Sequence, residues 1–124
     1  MNFGETLKPT PVRKFSHKDY LDNKDKALAF VKDRVNFYNQ KLGFSFNKIS
    51  IKNQKSRWGS CSSKKNLSLN YKILFLNKEQ QDYIIVHELC HLKEFNHSKN
   101  FWSLVEKIIP NYLAIKKSLR PSSL

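Results

Sequence analysis

Cysteine, glycine and acidic residues are all scarce in this 124-residue chain. The two cysteines, Cys61 and Cys90, stand 29 positions apart and form no C-x-x-C pair. That excludes a disulfide framework and a zinc site built from cysteine alone. No apolar run approaches the ~18 residues that a membrane span needs. The opening MNFGETLKPTPVRK has no apolar stretch of the ~7–15 residues found in a secretory signal. Repeats, low-complexity tracts and linkers are also missing. What is present is a 40% hydrophobic, 13% aromatic composition, too apolar for a disordered chain. A single soluble, cytoplasmic domain is expected, long enough for one core without staples.

Acidic residues number 10 against 23 Lys and Arg, a formal charge of +13. Only four of the basic residues are Arg (Arg13, Arg34, Arg57, Arg120). Base-edge readout and bidentate phosphate clamping favour Arg, whereas Lys acts as a point charge. Sequence-specific nucleic-acid recognition is therefore not expected, and none of its usual motifs is present. Two readings of the charge stay open. One is codon bias, which suits a chain rich in Lys and Asn and poor in Gly. The other is weak, salt-sensitive attraction to nucleic acid.

Along the chain, residues 1–21 carry Pro9 and Pro11 without periodicity and read as an N-terminal arm. A domain over 22–124 follows. Asp22 or Asn23 is expected to cap a first helix, with Ala27/Leu28, Val31, Val35, Tyr38 and Leu42 on one stripe and Gly43 at its end. Alternation predicts strands over Phe44–Asn53, Arg57–Cys61 and Leu67–Tyr71, the last two joined by the polar turn Ser62–Asn66. Asn77 and Gln80 form a capping box for a second helix that runs to about Phe95. Ser98 caps a third, stopped near Pro110, and a short fourth covers Asn111–Leu119. The expected class is α+β.

Three of the four histidines fall within eleven residues: His87-Glu88-Leu89-Cys90-His91, then His97. Histidines four apart on a helix share a face, so both imidazoles can meet one metal ion. Glu88 is turned by about 100° from His87, beside the metal without ligating it. Neutral imidazoles hold Zn²⁺, the metal brings the pKa of water toward about 7, and a carboxylate takes the proton. On a straight helix His97 would lie about 9 Å beyond His91. The chain must therefore turn back between them, and Asn96 is the residue expected to take a left-handed cap. Glu94 or Glu106 is the alternative third ligand. His17, isolated in a polar stretch, reads as solvated.

Taken together, Arg57-Trp58-Gly59-Ser60-Cys61-Ser62, Leu69-Asn70-Tyr71, Asp82–Leu92, Asn96-His97-Ser98 and Phe101-Trp102 resemble the YgjP-like metallopeptidase family, over about residues 44–113. That family is a small zincin group, distantly similar to the SprT-like and WLM metalloproteases. The resemblance implies a zincin-like domain with a short, mostly antiparallel three-stranded sheet packed on an active-site helix and flanking helices. It implies a zinc-dependent peptidase with one Zn²⁺ per chain, His87, His91 and His97 as ligands and Glu88 as catalytic base. SprT-like and WLM relatives include proteases that remove proteins crosslinked to DNA, which would give the charge a purpose. The His91–His97 spacing equals that of the metzincins, but Glu94 stands where they have glycine, so a metzincin fold is not implied.

Other residues carry weaker expectations. Trp58 and Trp102 read as core aromatics ahead of substrate contacts. Gly59 marks a bulge or a close backbone approach, and its strand offers an edge for an extended peptide. Arg57, Tyr83 and Tyr112 are the candidates to stabilise an oxyanion or touch substrate. Asn66 and Asn70 read as turn or strand-end residues ahead of their other candidate role, orienting a ligand imidazole. Cys90 reads as a small buried hydrophobe. The expected partner is a peptide or protein substrate, with weak non-specific nucleic-acid binding, no membrane, and a monomeric state. The competing function is a basic nucleic-acid-associated module whose metal is structural, or a protease acting on DNA-bound proteins.

Overall fold

The computed structural model describes residues 14–119. Its elements, in order, are α1 (His17–Leu42), β1 (Lys48–Lys52), β2 (Gly59–Cys61), β3 (Asn66–Asn70), a 3-10 turn (Tyr71–Phe75), α2 (Lys78–Cys90), α3 (Lys99–Ile108) and α4 (Tyr112–Ser118). Four helices around one small sheet make the α+β class expected. No helix among the described residues is long and apolar enough to cross a membrane.

Helix α1 begins at His17, ahead of the caps expected at Asp22 or Asn23. Ser16 forms a capping box with Asp19: the Asp19 amide donates to Ser16 Oγ at 3.2 Å and the Ser16 amide to Asp19 Oδ2 at 2.8 Å. Two otherwise orphaned amides are satisfied reciprocally, and neither later candidate makes that exchange. Ala27, Val31 and Val35 are buried along the expected stripe. Gly43 ends the helix in a left-handed conformation, φ 66°, its amide bonded to the Asn39 carbonyl at 2.8 Å.

The sheet order is β1-β3-β2. β2 and β3 form an antiparallel hairpin, Gly59 opposite Leu69 and Cys61 opposite Leu67. The turn between them is the polar stretch expected, with Lys65 at φ 66°. β1, however, pairs β3 in parallel, Lys48 opposite Asn66. The sheet is thus mixed, and one of its two pairings departs from an antiparallel arrangement. The cause lies in residues 53–58, which carry the chain past β3 to its far side. Buried Asn70 pins that crossing: its Nδ2 donates to the carbonyls of Gln54 at 2.7 Å and Arg57 at 2.9 Å. Its Oδ1 accepts from the Lys72 amide at 3.0 Å and starts the 3-10 turn, an element absent from the sequence reading. β2 is left as an edge strand.

Helix α2 starts at the expected capping box, Gln80 amide to Asn77 Oδ1 at 2.9 Å. It is the core helix, buried from Asp82 through Val86 and again at Glu88, Leu89 and Cys90. It packs on α1, α3, α4 and β2. Burying Asp82 requires a partner, and Arg34 of α1 supplies a two-pronged one, Nε to Oδ1 at 3.1 Å and Nη2 to Oδ2 at 3.2 Å. Lys78 adds a looser contact at 3.5 Å. Arg34→Met removes the fork and leaves a buried carboxylate, which destabilises by about 2–4 kcal/mol. A clear drop in Tm is expected, whereas Lys18→Met, which breaks an exposed pair with Asp22, should leave Tm unmoved. Equal Tm for the two variants would show that Asp82 needs no partner.

Candidate metal centre

His87 sits in the last turn of α2 and His91 at its C-cap. The helix stops there and does not continue to Phe95. The amides of Leu92, Lys93 and Glu94 turn back onto the carbonyls of Leu89 and Cys90 at 2.9–3.1 Å. The Ser98 amide then bonds to the Asn96 carbonyl at 2.8 Å, and Ser98 caps α3. The reversal is the one expected, but Asn96 is not left-handed; Lys65 is the only non-glycine residue with positive φ among those described. The turn is made by bifurcated closure at the helix end, which needs no special residue.

This reversal brings His97 back to the helical pair. Its Nε2 lies 2.9 Å from His91 Nε2 and 3.2 Å from His87 Nε2, and ligand atoms of all three lie within 4.8 Å of one another. Nitrogens bound to one tetrahedral zinc at 2.0–2.1 Å stand about 3.3 Å apart, so the spacing fits such an ion. The outer nitrogens fit as well. His91 Nδ1 meets the Glu94 carbonyl at 3.1 Å; a carbonyl only accepts, so the proton is on Nδ1 and the Nε2 lone pair is free. His87 Nδ1 meets the Tyr83 hydroxyl at 3.3 Å. Burial, then the positive charge that His91 and His97 can carry, pushes His87 down to about 3, which keeps it neutral. Burial also lowers His91, against the hydrogen bond it donates to the Glu94 carbonyl. Glu94 contributes its carbonyl, and neither its carboxylate nor that of Glu106 joins the cluster.

Aromatic rings hold the histidines from below. Phe101 stacks on His91 at 4.3 Å between centroids, Trp102 stacks on His97 at 5.5 Å, and Tyr112 stacks beneath Trp102 at 5.4 Å. Trp102, read from sequence as a core aromatic, is thus both core and support for a candidate ligand. The spacing of Phe101 and Trp102 just past His97, at the start of α3, was the available signal.

Glu88 is only 6% exposed, with no hydrogen-bond partner among the described residues. Burial pushes its carboxyl up to about 8, against the opposing charge of Arg57. Its side chain lies against β2, where a Cβ on Gly59 would come 3.1 Å from Glu88 Cγ and 3.0 Å from the Ser68 carbonyl oxygen. Gly59 is therefore the close approach expected from sequence. Two recesses flank this contact. One, about 250 Å³, is lined by residues that include Arg57, Trp58, Tyr83, His87, Glu88 and Lys116. The other, about 190 Å³, is lined by Gly59, Ser60, Cys61, His87, Glu88, His91 and Phe95.

The remaining candidates separate. Arg57 shares a recess with Glu88. The Tyr83 hydroxyl is engaged with His87, and burial holds it protonated. That makes it a partner of the ligand and not a free oxyanion donor. Tyr112 lies under Trp102. Asn70 and Asn66 take the turn and strand-end places that were weighed beside ligand orientation. Asn70 is consumed by the crossing at Gln54 and Arg57, and Asn66 starts β3 with its Oδ1 buried and unpaired. Cys90 is fully buried, as expected. His17 is exposed.

The sequence profile of the YgjP-like metallopeptidase domain matches residues 12–122. Among solved structures, the crystal structure of the metallopeptidase zymogen of Pyrococcus abyssi abylysin is similar at 30% identity and TM-score 0.63, over 71% of this chain and 90% of that one. The metallopeptidase zymogen of Methanocaldococcus jannaschii jannalysin is similar at 32% identity and TM-score 0.61, over 71% and 91%. No curated protein matches.

Two outcomes follow from this geometry. In the metal-free protein Glu88 keeps a proton up to about pH 8, whereas the unfolded chain releases it near 4.5. The folded state thus binds more protons across that window, and stability falls as pH rises through it. Glu88→Gln removes this loss and leaves the opposing contribution of His87 in place. The metal-free variant should match wild type near pH 4 and exceed it increasingly up to about pH 8.5; parallel Tm–pH curves would contradict the burial argument. Gly59→Ala drives a methyl into backbone and Glu88 at once, and should destabilise by about 1–3 kcal/mol in denaturant melts.

Proposed function

The chain belongs to the YgjP-like metallopeptidase family, and from that premise we propose that it is a zinc peptidase with one Zn²⁺ per chain, His87, His91 and His97 as ligands, and Glu88 as general base. The observation that carries this reading is the meeting of three imidazole nitrogens beside a buried carboxylate at the free edge of β2. Three neutral imidazoles with one position left open are a donor set suited to hydrolytic zinc. Bound there, the ion supplies Lewis-acid polarisation of a carbonyl and activation of water at neutral pH.

The chain's own residues supply the rest. The Glu94 carbonyl fixes the tautomer of His91, which then offers Nε2 without reorganisation, and the Tyr83 hydroxyl holds the His87 ring by its Nδ1 with Nε2 turned to the cluster. Tyr83 acts through His87 and is a positioning residue. Glu88 has an apolar setting that raises its proton affinity. It takes the proton from the attacking water and delivers it to the leaving amine nitrogen as the C–N bond breaks. An extended peptide adds as a strand to the open edge of β2, and Gly59, lacking a side chain, keeps that edge close to Glu88.

Two variants test the assignment. Glu88→Gln should keep its zinc and lose peptide hydrolysis by about 10²–10⁴-fold. His97→Ala should fall well below one zinc per chain in elemental analysis. Full activity in the first variant removes Glu88 as base, and full metal content in the second removes His97 from the ligand set.

A further inference from the structure

The recess of about 250 Å³ beside His87 and Glu88 has a charge pattern that the peptidase chemistry does not need. Arg57 enters it from the segment before β2 and Lys116 from α4. These elements are far apart in sequence, and a basic residue of each lines one hollow with Trp58, Ile84 and Leu119 in its walls. No ion pair involves either cation among the described residues. Glu88, the one acidic group in the lining, is committed to proton transfer on the reading above.

One cation is held by its charged end and the other through its backbone. Lys116 Nζ sits 4.6 Å over the ring of Trp102, which stacks on His97, so its position is tied to the metal centre. The Arg57 carbonyl is fixed by Asn70 at 2.9 Å, which anchors its backbone at the mouth of β2. The recess on the other side of Glu88 contains no Lys or Arg in its lining. A strand laid along β2 presents its side chains alternately, so only one substrate position meets the cations. An unpaired pair of cations facing an apolar-walled hollow attracts a carboxylate and repels a basic side chain.

Resting on the peptidase reading, we infer that Arg57 and Lys116 form a carboxylate-selective subsite next to the scissile bond. It takes either an acidic side chain or the free C-terminal carboxylate of a peptide substrate. Arg57 and Lys116 are specificity-determining residues on this assignment.

The test uses zinc-loaded Glu88→Gln as a non-cleaving trap, with Kd measured by calorimetry, and wild-type cleavage rates in parallel. Blocked neutral peptides carry a single Glu or its isostere Gln at each position in turn. A second set carries the same neutral sequence with a carboxylate or a carboxamide end. The expected result is a carboxylate preference of about tenfold, confined to one position of the scan or to the chain end. The set that shows it names the source. Lys116→Gln or Arg57→Gln in the trap should cut the preference several-fold, Lys116→Arg should retain it, and Lys116→Glu should shift it toward a basic side chain. Equal affinity within every pair, or no measurable binding of any peptide, overturns the subsite. So does a preference uniform along the peptide and equally reduced by the remote Lys41→Gln, which would assign it to the overall charge. Cleavage without preference sinks the subsite and spares the peptidase. Preferential binding without cleavage by wild type sinks the peptidase and spares the subsite.

Discussion

Helix α2 is under a constraint that shapes everything around it: it is the core helix, and within ten residues it also carries Asp82, His87, Glu88 and His91. A helix buried on nearly every side is normally apolar on every side. Here each ionisable group needs its own answer to desolvation, and the answers differ. Asp82 receives a bidentate guanidinium from α1. His87 gives up its charge, because burial makes protonation unfavourable. Glu88 has no hydrogen-bond partner and holds its proton up to about 8. The carboxylate for which the charge of Arg57 does not offset burial is the one beside the imidazole cluster. A divalent cation placed there would supply the missing counter-charge, so the folded chain and the candidate chemistry call for the same ion.

The reversal after His91 is the second consequence. Continuing α2 would have carried His97 away from the pair. Ending it at Cys90 frees carbonyls that the next three amides satisfy, and the chain can fold back without a glycine. α3 then starts directly under the cluster. Its first turn places Phe101 and Trp102 as flat supports for His91 and His97. The rings are therefore core residues and positioning residues at once, and the two descriptions do not compete.

What sequence reasoning recovered depended on whether the signal was local. The capping box at Asn77, the Ser98 cap, the stripe on α1, the Gly43 stop, the hairpin turn and the H-E-x-x-H face are all set within a few residues, and they were legible. The start of α1 was missed because three capping residues, Ser16, Asp22 and Asn23, crowd one stretch, and only the structure shows that Ser16 makes the reciprocal exchange, with Asp19. The parallel pairing of β1 with β3 was not legible, because it depends on Asn70 holding a crossing at residues 54 and 57. No periodicity encodes that. For the same reason two employments stayed open for Asn70, a turn residue or a ligand-orienting one: only the fold tells which carbonyls lie within reach of a buried amide. The meeting of Arg57 with Lys116 joins residues 59 positions apart and was equally invisible.

The basic composition takes on a sharper meaning beside these contacts. Lysine is the default cation of this chain, so an arginine is informative where one stands. Of the two arginines among the described residues, Arg34 forms a fork on a buried carboxylate and Arg57 lines the recess beside Glu88. Both are places where planar, two-pronged recognition of a carboxylate outperforms a point charge. The lysines spread over the surface act differently. Exposed charges of one sign set at most a broad field, which weakens within a Debye length, about 8–10 Å at ordinary ionic strength. A field of that kind raises encounter rates without choosing a register. Selection of one substrate position requires charges in the wall of the cleft, and among the described residues the two cations lining the recess beside Glu88 are Arg57 and Lys116.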